Sequence, residues 1–315
     1  MVAISILLVL LDFTDAEHQN KRFPTELELD ALGWKDSSGR GGSVNGESHT
    51  DHGVDIPVPD MILAATLSEA SYGSTLTNQI VHQPRRGAAA MVVIKDPGRK
   101  TSCVVQLLKL ERMIIIAFRG TKNFSDMLAN AKAWPTMSSE KSFKGWVHSG
   151  FLSSYRALHG RISDLLTNHA NDFDTIMVTG HSLGGAMATI SVPILKGLFK
   201  TKDIDCITFG APRVGNARFR EAFAQAVRFS SRLVNQDDPV PKLPSSLYYH
   251  HVSPAAYMYE GCVELGKAGP KRAYSSKWGG LSDHFLKEYL RRLETLRTDA
   301  FGYPAVCSTA PVVRL

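Results

Sequence analysis

The stretch Met113–Phe118, Met-Ile-Ile-Ile-Ala-Phe, has no polar residue. Six residues are too few for a buried helix and enough for a strand. A strand without polar alternation must be covered on both faces. That requirement argues against a sheet with one wet face and calls for helices on both sides. Residues 175–180, 204–209 and 231–235 read as further strands, as do 88–96 and the two halves of 101–118, which turn around Glu111-Arg112. Helical spacing recurs at 59–73, 124–134, 151–168, 184–199, 216–228 and 283–297. Strands alternating with helices predict an α/β fold with a mostly parallel sheet.

The flanks read differently. Residues 35–55 are rich in Gly, Ser and charge and cannot bury apolar area, so 17–56 is expected to be flexible. Nine of the ten residues from Val2 to Leu11 are apolar, broken only by Ser5. That run is too short to span a bilayer and suits a signal peptide or hydrophobic anchor over 1–16. Secretion is the expected localisation, with an intracellular or membrane-associated protein as the alternative. Residues 57–297 form the expected folded domain and 298–315 a tail. The 315 residues carry a net charge of +6 without any Arg/Lys block interleaved with aromatics, so nucleic-acid binding is not expected. Four scattered cysteines have neither C-x-x-C nor zinc spacing. Cys103 and Cys206 sit in apolar runs and read as buried; Cys262 and Cys307 lie in loop-like sequence and could pair. Neither metal nor organic cofactor is expected.

The chemistry concentrates at Gly180-His181-Ser182-Leu183-Gly184, where the strand 175–180 meets the helix 184–199. This is G-x-S-x-G in strand–turn–helix context, the arrangement of a nucleophile elbow. A serine there sits on a strained turn at the carboxyl edge of the sheet. Side chains two residues before and after it would collide with the turn's own backbone, hence glycine at both places. The Leu183 N–H, at the positive end of the helix, can donate to a developing oxyanion. The bland alternative is a tight turn in which Ser182 only caps the helix.

A serine hydroxyl needs a base, and the base an orienting carboxylate. In elbow hydrolases the order is Ser, acid, His. Asp237 and Asp238 end the strand 231–235, where sheets of this kind place catalytic groups. Position alone does not choose between them. His284, after a glycine-rich loop, suits the base; His250 and His251 read as wall residues. His148 reads as structural, and His181 as pointing away from the serine.

Six blocks occur in order: Ile-Ile-Ile-Ala-Phe-Arg-Gly-Thr (114–121), Val-His-Ser-Gly-Phe-Leu-Ser-Ser-Tyr (147–155), the elbow (178–188), Thr-Phe-Gly-Ala-Pro-Arg-Val-Gly-Asn (208–216), Val-Asn-Gln-Asp-Asp-Pro-Val-Pro-Lys-Leu-Pro (234–244) and Ser-Asp-His-Phe-Leu-Lys-Glu-Tyr-Leu (282–290). With these blocks the chain resembles the class 3, fungal-type triacylglycerol lipases over about 57–297. The resemblance implies an α/β-hydrolase fold with a short helical lid, and hydrolysis of acylglycerol esters at a lipid–water interface. It places the nucleophile on Ser182, the acid on Asp238 and the base on His284, with Thr121 and Leu183 as oxyanion donors. Phospholipase A1, diacylglycerol lipase or feruloyl-type esterase activity would use the same site, and a non-catalytic lipid-binding module is the rival from another class. Phe124, Met127, Leu128 and Ala131 form one apolar stripe, readable as a lid with Trp134 at the interface or as a helix packed on the core. Asn130 stands where the family commonly has a carboxylate.

Overall fold

In the computed structural model the apolar run is β3 (Met113–Phe118), the third strand of an eight-stranded sheet. The structure describes residues 57–73, 88–121, 135–137, 143–259, 261–266, 282–296 and 298. The expected leader, flexible segment, lid stripe, most of the tail and Cys307 lie outside these.

Strands β1 (Ala88–Asp96), β2 (Thr101–Leu108), β6 (Thr175–His181), β7 (Asp203–Phe209), β8 (Phe229–Asn235), β9 (Ala255–Tyr259) and β10 (Cys262–Gly266) complete the sheet, in the order β1-β2-β3-β6-β7-β8-β9-β10. The pairs from β3 through β9 are parallel. The outer pairs β1/β2, β2/β3 and β9/β10 are antiparallel.

Side chains alternate across β3 because the strand period is two. Ile114, Ile116 and Phe118 join one core with α2 (Ser149–Asn168), α3 (Leu183–Leu198) and α4 (Ala217–Ala226). Ile115 and Ala117 join a second core with α1 (Val58–Ala70) and α5 (Leu286–Thr295). Helices therefore cover both faces, as the lack of alternation demands. Truncating such a residue, for instance Ile116→Ala, costs about 2–5 kcal/mol.

Three features depart from the expectation. The ribbon β4 (Pro135–Met137) with β5 (Trp146–His148), and the hairpin β9–β10, were not anticipated. The hairpin carried a signal: aromatic-rich Ala255–Tyr259, then a two-residue connection containing Gly261, whose φ is 76°. The predicted helix 283–297 splits. Ser282–His284 forms a 3-10 turn, Phe285 is extended, and α5 starts at Leu286. The His284 carbonyl turns to His181 Nε2 at 2.6 Å, so it does not serve a continuous helix. Cys103 and Cys206 are buried free thiols, and Cys262 is disulfide-bonded.

Candidate active site

Three consecutive strand ends bring the predicted groups to one edge of the sheet. Ser182 follows β6, Gly210 follows β7 and Asp238 follows β8, while His284 arrives from the turn before α5. Ser182 has φ 59° and ψ −126°, a conformation that non-glycine residues adopt only at a cost of about 1–3 kcal/mol. Its N–H donates to the Phe209 carbonyl at 2.9 Å, tying the turn to the end of β7. Its side chain makes no capping bond to α3, so this serine does not serve as the helix cap.

The glycines have distinct duties. A Cβ on Gly180 would lie 2.3 Å from the Gly184 carbonyl carbon, inside the turn itself. One on Gly184 would instead lie 2.1 Å from the Phe118 carbonyl oxygen, on the neighbouring strand. The expectation that both glycines clear the turn's own backbone thus holds for Gly180 only; Gly184 lets α3 sit on the end of β3. The sheet register pairs Phe118 with Gly180. Three residues beyond each lie Thr121 and Leu183, the predicted oxyanion pair. Gly120 packs against the elbow too: its Cβ would come 2.6 Å from the His181 carbonyl oxygen.

The two open choices resolve by contact. His284 Nδ1 lies 2.9 Å from Asp238 Oδ2 and 3.0 Å from Oδ1. Asp237 is half-buried and gives its backbone N–H to Asp283 Oδ2 at 3.4 Å. Asp238 is buried and accepts two further bonds, from Tyr289 Oη at 2.6 Å and from the Val240 N–H at 2.8 Å. Tyr289 was not anticipated from the sequence. It sits on the apolar face of α5 five residues after His284, and that offset is the only trace the sequence carries of it.

The other histidines stand apart. His251 Nε2 reaches the Pro241 carbonyl at 2.7 Å. His250 bridges backbone to Gly215, which pairs with Val147 in turn. His148 is buried, stacks on Phe151 at 4.1 Å, and its Nδ1 accepts from the Gly150 N–H at the start of α2. His181 points away from the serine: Nδ1 faces Tyr72 Oη at 3.0 Å and Nε2 the His284 carbonyl. Burial, with the adjacent His284, depresses its pKa to about 3, so it is neutral. Phe124, Met127, Leu128 and Trp134 lie outside the described residues.

The chain is similar to known proteins in this same region. A sequence model of the family Lipase (class 3) matches residues 115–248. A Caenorhabditis elegans lipase is 38% identical over 138 residues, 42% of this chain and 38% of that one. A secreted mono- and diacylglycerol lipase of Fusarium solani is 32% identical over 184 residues, 56% of this chain and 54% of that one. The chain thus spans about half or less of the curated relatives it matches. Lipase II from Rhizopus niveus superposes with a TM-score of 0.58 at 24% identity, covering 72% of this chain and 92% of that one. The fold is the α/β-hydrolase fold of the fungal lipases, and the family resemblance read from the six blocks is upheld.

Proposed function

We propose that this chain is a serine hydrolase that cleaves carboxylic ester bonds of acylglycerols. The observation that carries the reading is the buried Asp238 carboxylate on His284 Nδ1, beside a serine held in a strained turn. Each group then has one task. Asp238 fixes the imidazole with its proton on Nδ1, which keeps Nε2 unprotonated so that it can act as base. Ser182 Oγ attacks the ester carbonyl as His284 Nε2 takes its proton. The oxygen that becomes anionic accepts from the Leu183 N–H and from Thr121. Protonated His284 passes its proton to the leaving alcohol, and water, activated by the same imidazole, releases the acyl group from Ser182.

The Fusarium solani relative is named as a secreted mono- and diacylglycerol lipase, which supports both the substrate class and an extracellular site of action. Among the described residues no helix is long and apolar enough to cross a membrane. Residues 122–135, of which 122–134 lie outside the described residues, are proposed from their apolar stripe alone as a lid with Trp134 at the lipid interface. The test is a panel of tri-, di- and monoacylglycerol, phospholipid and short soluble esters, run with wild type and Ser182→Ala. Acylglycerol turnover that vanishes in the variant supports the reading. A Ser182→Ala protein with wild-type turnover sinks it, and phospholipid preferred over every glyceride would move the substrate class. Under the lid assignment, activity on a sparingly soluble ester rises abruptly past its solubility limit; smooth saturation through that limit refutes it.

A further inference from the structure

The triad leaves two groups of the site unused, Tyr72 just beyond α1 and His181 beside the nucleophile. Tyr72 lies close to the oxyanion loop. A Cβ on Gly120 would come 2.1 Å from its hydroxyl oxygen, so the hydroxyl packs directly against the Gly120 backbone. The hydroxyl also sits 3.0 Å from His181 Nδ1. Burial raises the Tyr72 pKa far above the ordinary phenol value, so the hydroxyl keeps its proton and serves as donor. His181 is neutral and therefore carries one ring proton. A carbonyl cannot donate, so that proton sits on Nε2, facing the His284 oxygen at 2.6 Å, and Nδ1 accepts from Tyr72. The rings of His181 and His284 lie 4.6 Å apart at 35°.

We propose that Tyr72 and His181 are positioning residues. They form one directed chain from the Tyr72 hydroxyl, packed on Gly120, through the His181 ring to the His284 carbonyl. It sets the oxyanion loop and the base histidine at a fixed separation. The two pieces need such a link because they share little sequence neighbourhood: Gly120 follows β3, and His284 comes from a turn more than a hundred residues later. The chain grips His284 by its backbone while Asp238 grips its ring, so both translation and rotation of the imidazole are restrained. Small displacements of a base or an oxyanion donor cost rate and not ground-state binding.

This inference rests on the hydrolase reading. The experiment measures kcat and KM on a short soluble ester, per active site titrated with an organophosphonate, for five proteins: wild type, Tyr72→Phe, His181→Gln, His181→Leu and the double variant Tyr72→Phe/His181→Leu. Tyr72→Phe removes one oxygen and should lower kcat about tenfold with KM within about twofold. Glutamine can still present an N–H near the position of Nε2, so His181→Gln should keep severalfold more kcat than His181→Leu. The double variant should be little worse than His181→Leu alone, since both break one chain. Wild-type kcat in Tyr72→Phe, equal losses in Gln and Leu, or multiplicative losses in the double variant would overturn the proposal. Folding is followed separately by thermal melting, and Tyr72→Phe keeps the test decisive if the buried His181 variants do not fold. A failure of the hydrolase reading looks different: wild type is then inactive, or Ser182→Ala is active.

Discussion

Gly210 and Asp238 approach so closely that a single added carbon would intrude on the carboxylate. A Cβ on Gly210 would lie 2.5 Å from Asp238 Oδ2, and also 2.9 Å from Tyr289 Oη and 3.1 Å from His284 Nδ1. The backbone there has φ 56°, in the left-handed region. Three polar atoms thus converge on the space that the missing side chain leaves. Gly210→Ala should combine backbone strain with displacement of the acid–base pair. A kcat loss of about ten- to a hundredfold is expected, with a lower melting temperature. Unchanged kcat per titrated site would show that the acid and base can move without penalty.

Tyr289→Phe removes one of three donors to a fully buried carboxylate. The remaining charge is under-satisfied, which should cost about 1–3 kcal/mol of stability in urea titration. It should also loosen Asp238, lowering kcat severalfold. Equal stability of variant and wild type would mean that water replaces the hydroxyl.

The two adjacent aspartates offer a sharp contrast. Asp238→Asn should lower kcat by about four orders of magnitude, because an amide can stabilise the wrong tautomer of the imidazole. Asp237→Asn should stay within a fewfold of wild type, since its carboxylate is not what His284 Nδ1 contacts. The opposite ranking would displace Asp238 from its role.

Acid should destabilise the fold through its buried histidines. Burial, aided by the Arg232 charge, holds the His251 pKa down at about 2, and His181 lies at about 3. In the unfolded chain each titrates near ~6.5. Between those values the unfolded state binds the proton and the folded state does not. Stability is therefore fully present above about pH 6.5 and falls as pH drops toward the folded values. The urea midpoint should be lower at pH 4.5 than at pH 7.5. His251→Gln, which keeps a donor for the Pro241 carbonyl, should show a smaller drop. An equal drop in both proteins would remove His251 as a source of the acid sensitivity.

Much of this architecture could be read before any coordinates. Runs such as Met113–Phe118 announce themselves because burial on both faces leaves no polar position, and the elbow does so because its glycines answer a local steric demand. The hairpin β9–β10 escaped because edge strands are short and their pairing is decided by the strand beside them. The break at Phe285 escaped because α5 keeps a helical pattern on both sides of it; only the distant His181 claims the carbonyl that a longer helix would have used.

The sequence by itself determined the α/β order, the strained serine turn and the set of groups able to form a triad, since these depend on periodicity and on neighbours a few residues away. It could not rank Asp237 against Asp238 by position, nor reveal Tyr289 on Asp238 or Tyr72 and His181 behind His284. Those are contacts between segments tens to more than a hundred residues apart. Only the tertiary structure decided them, because packing α1 and α5 on one face of the sheet carries Tyr72, just beyond α1, and Tyr289, on α5, to the same edge where β6, β7 and β8 end.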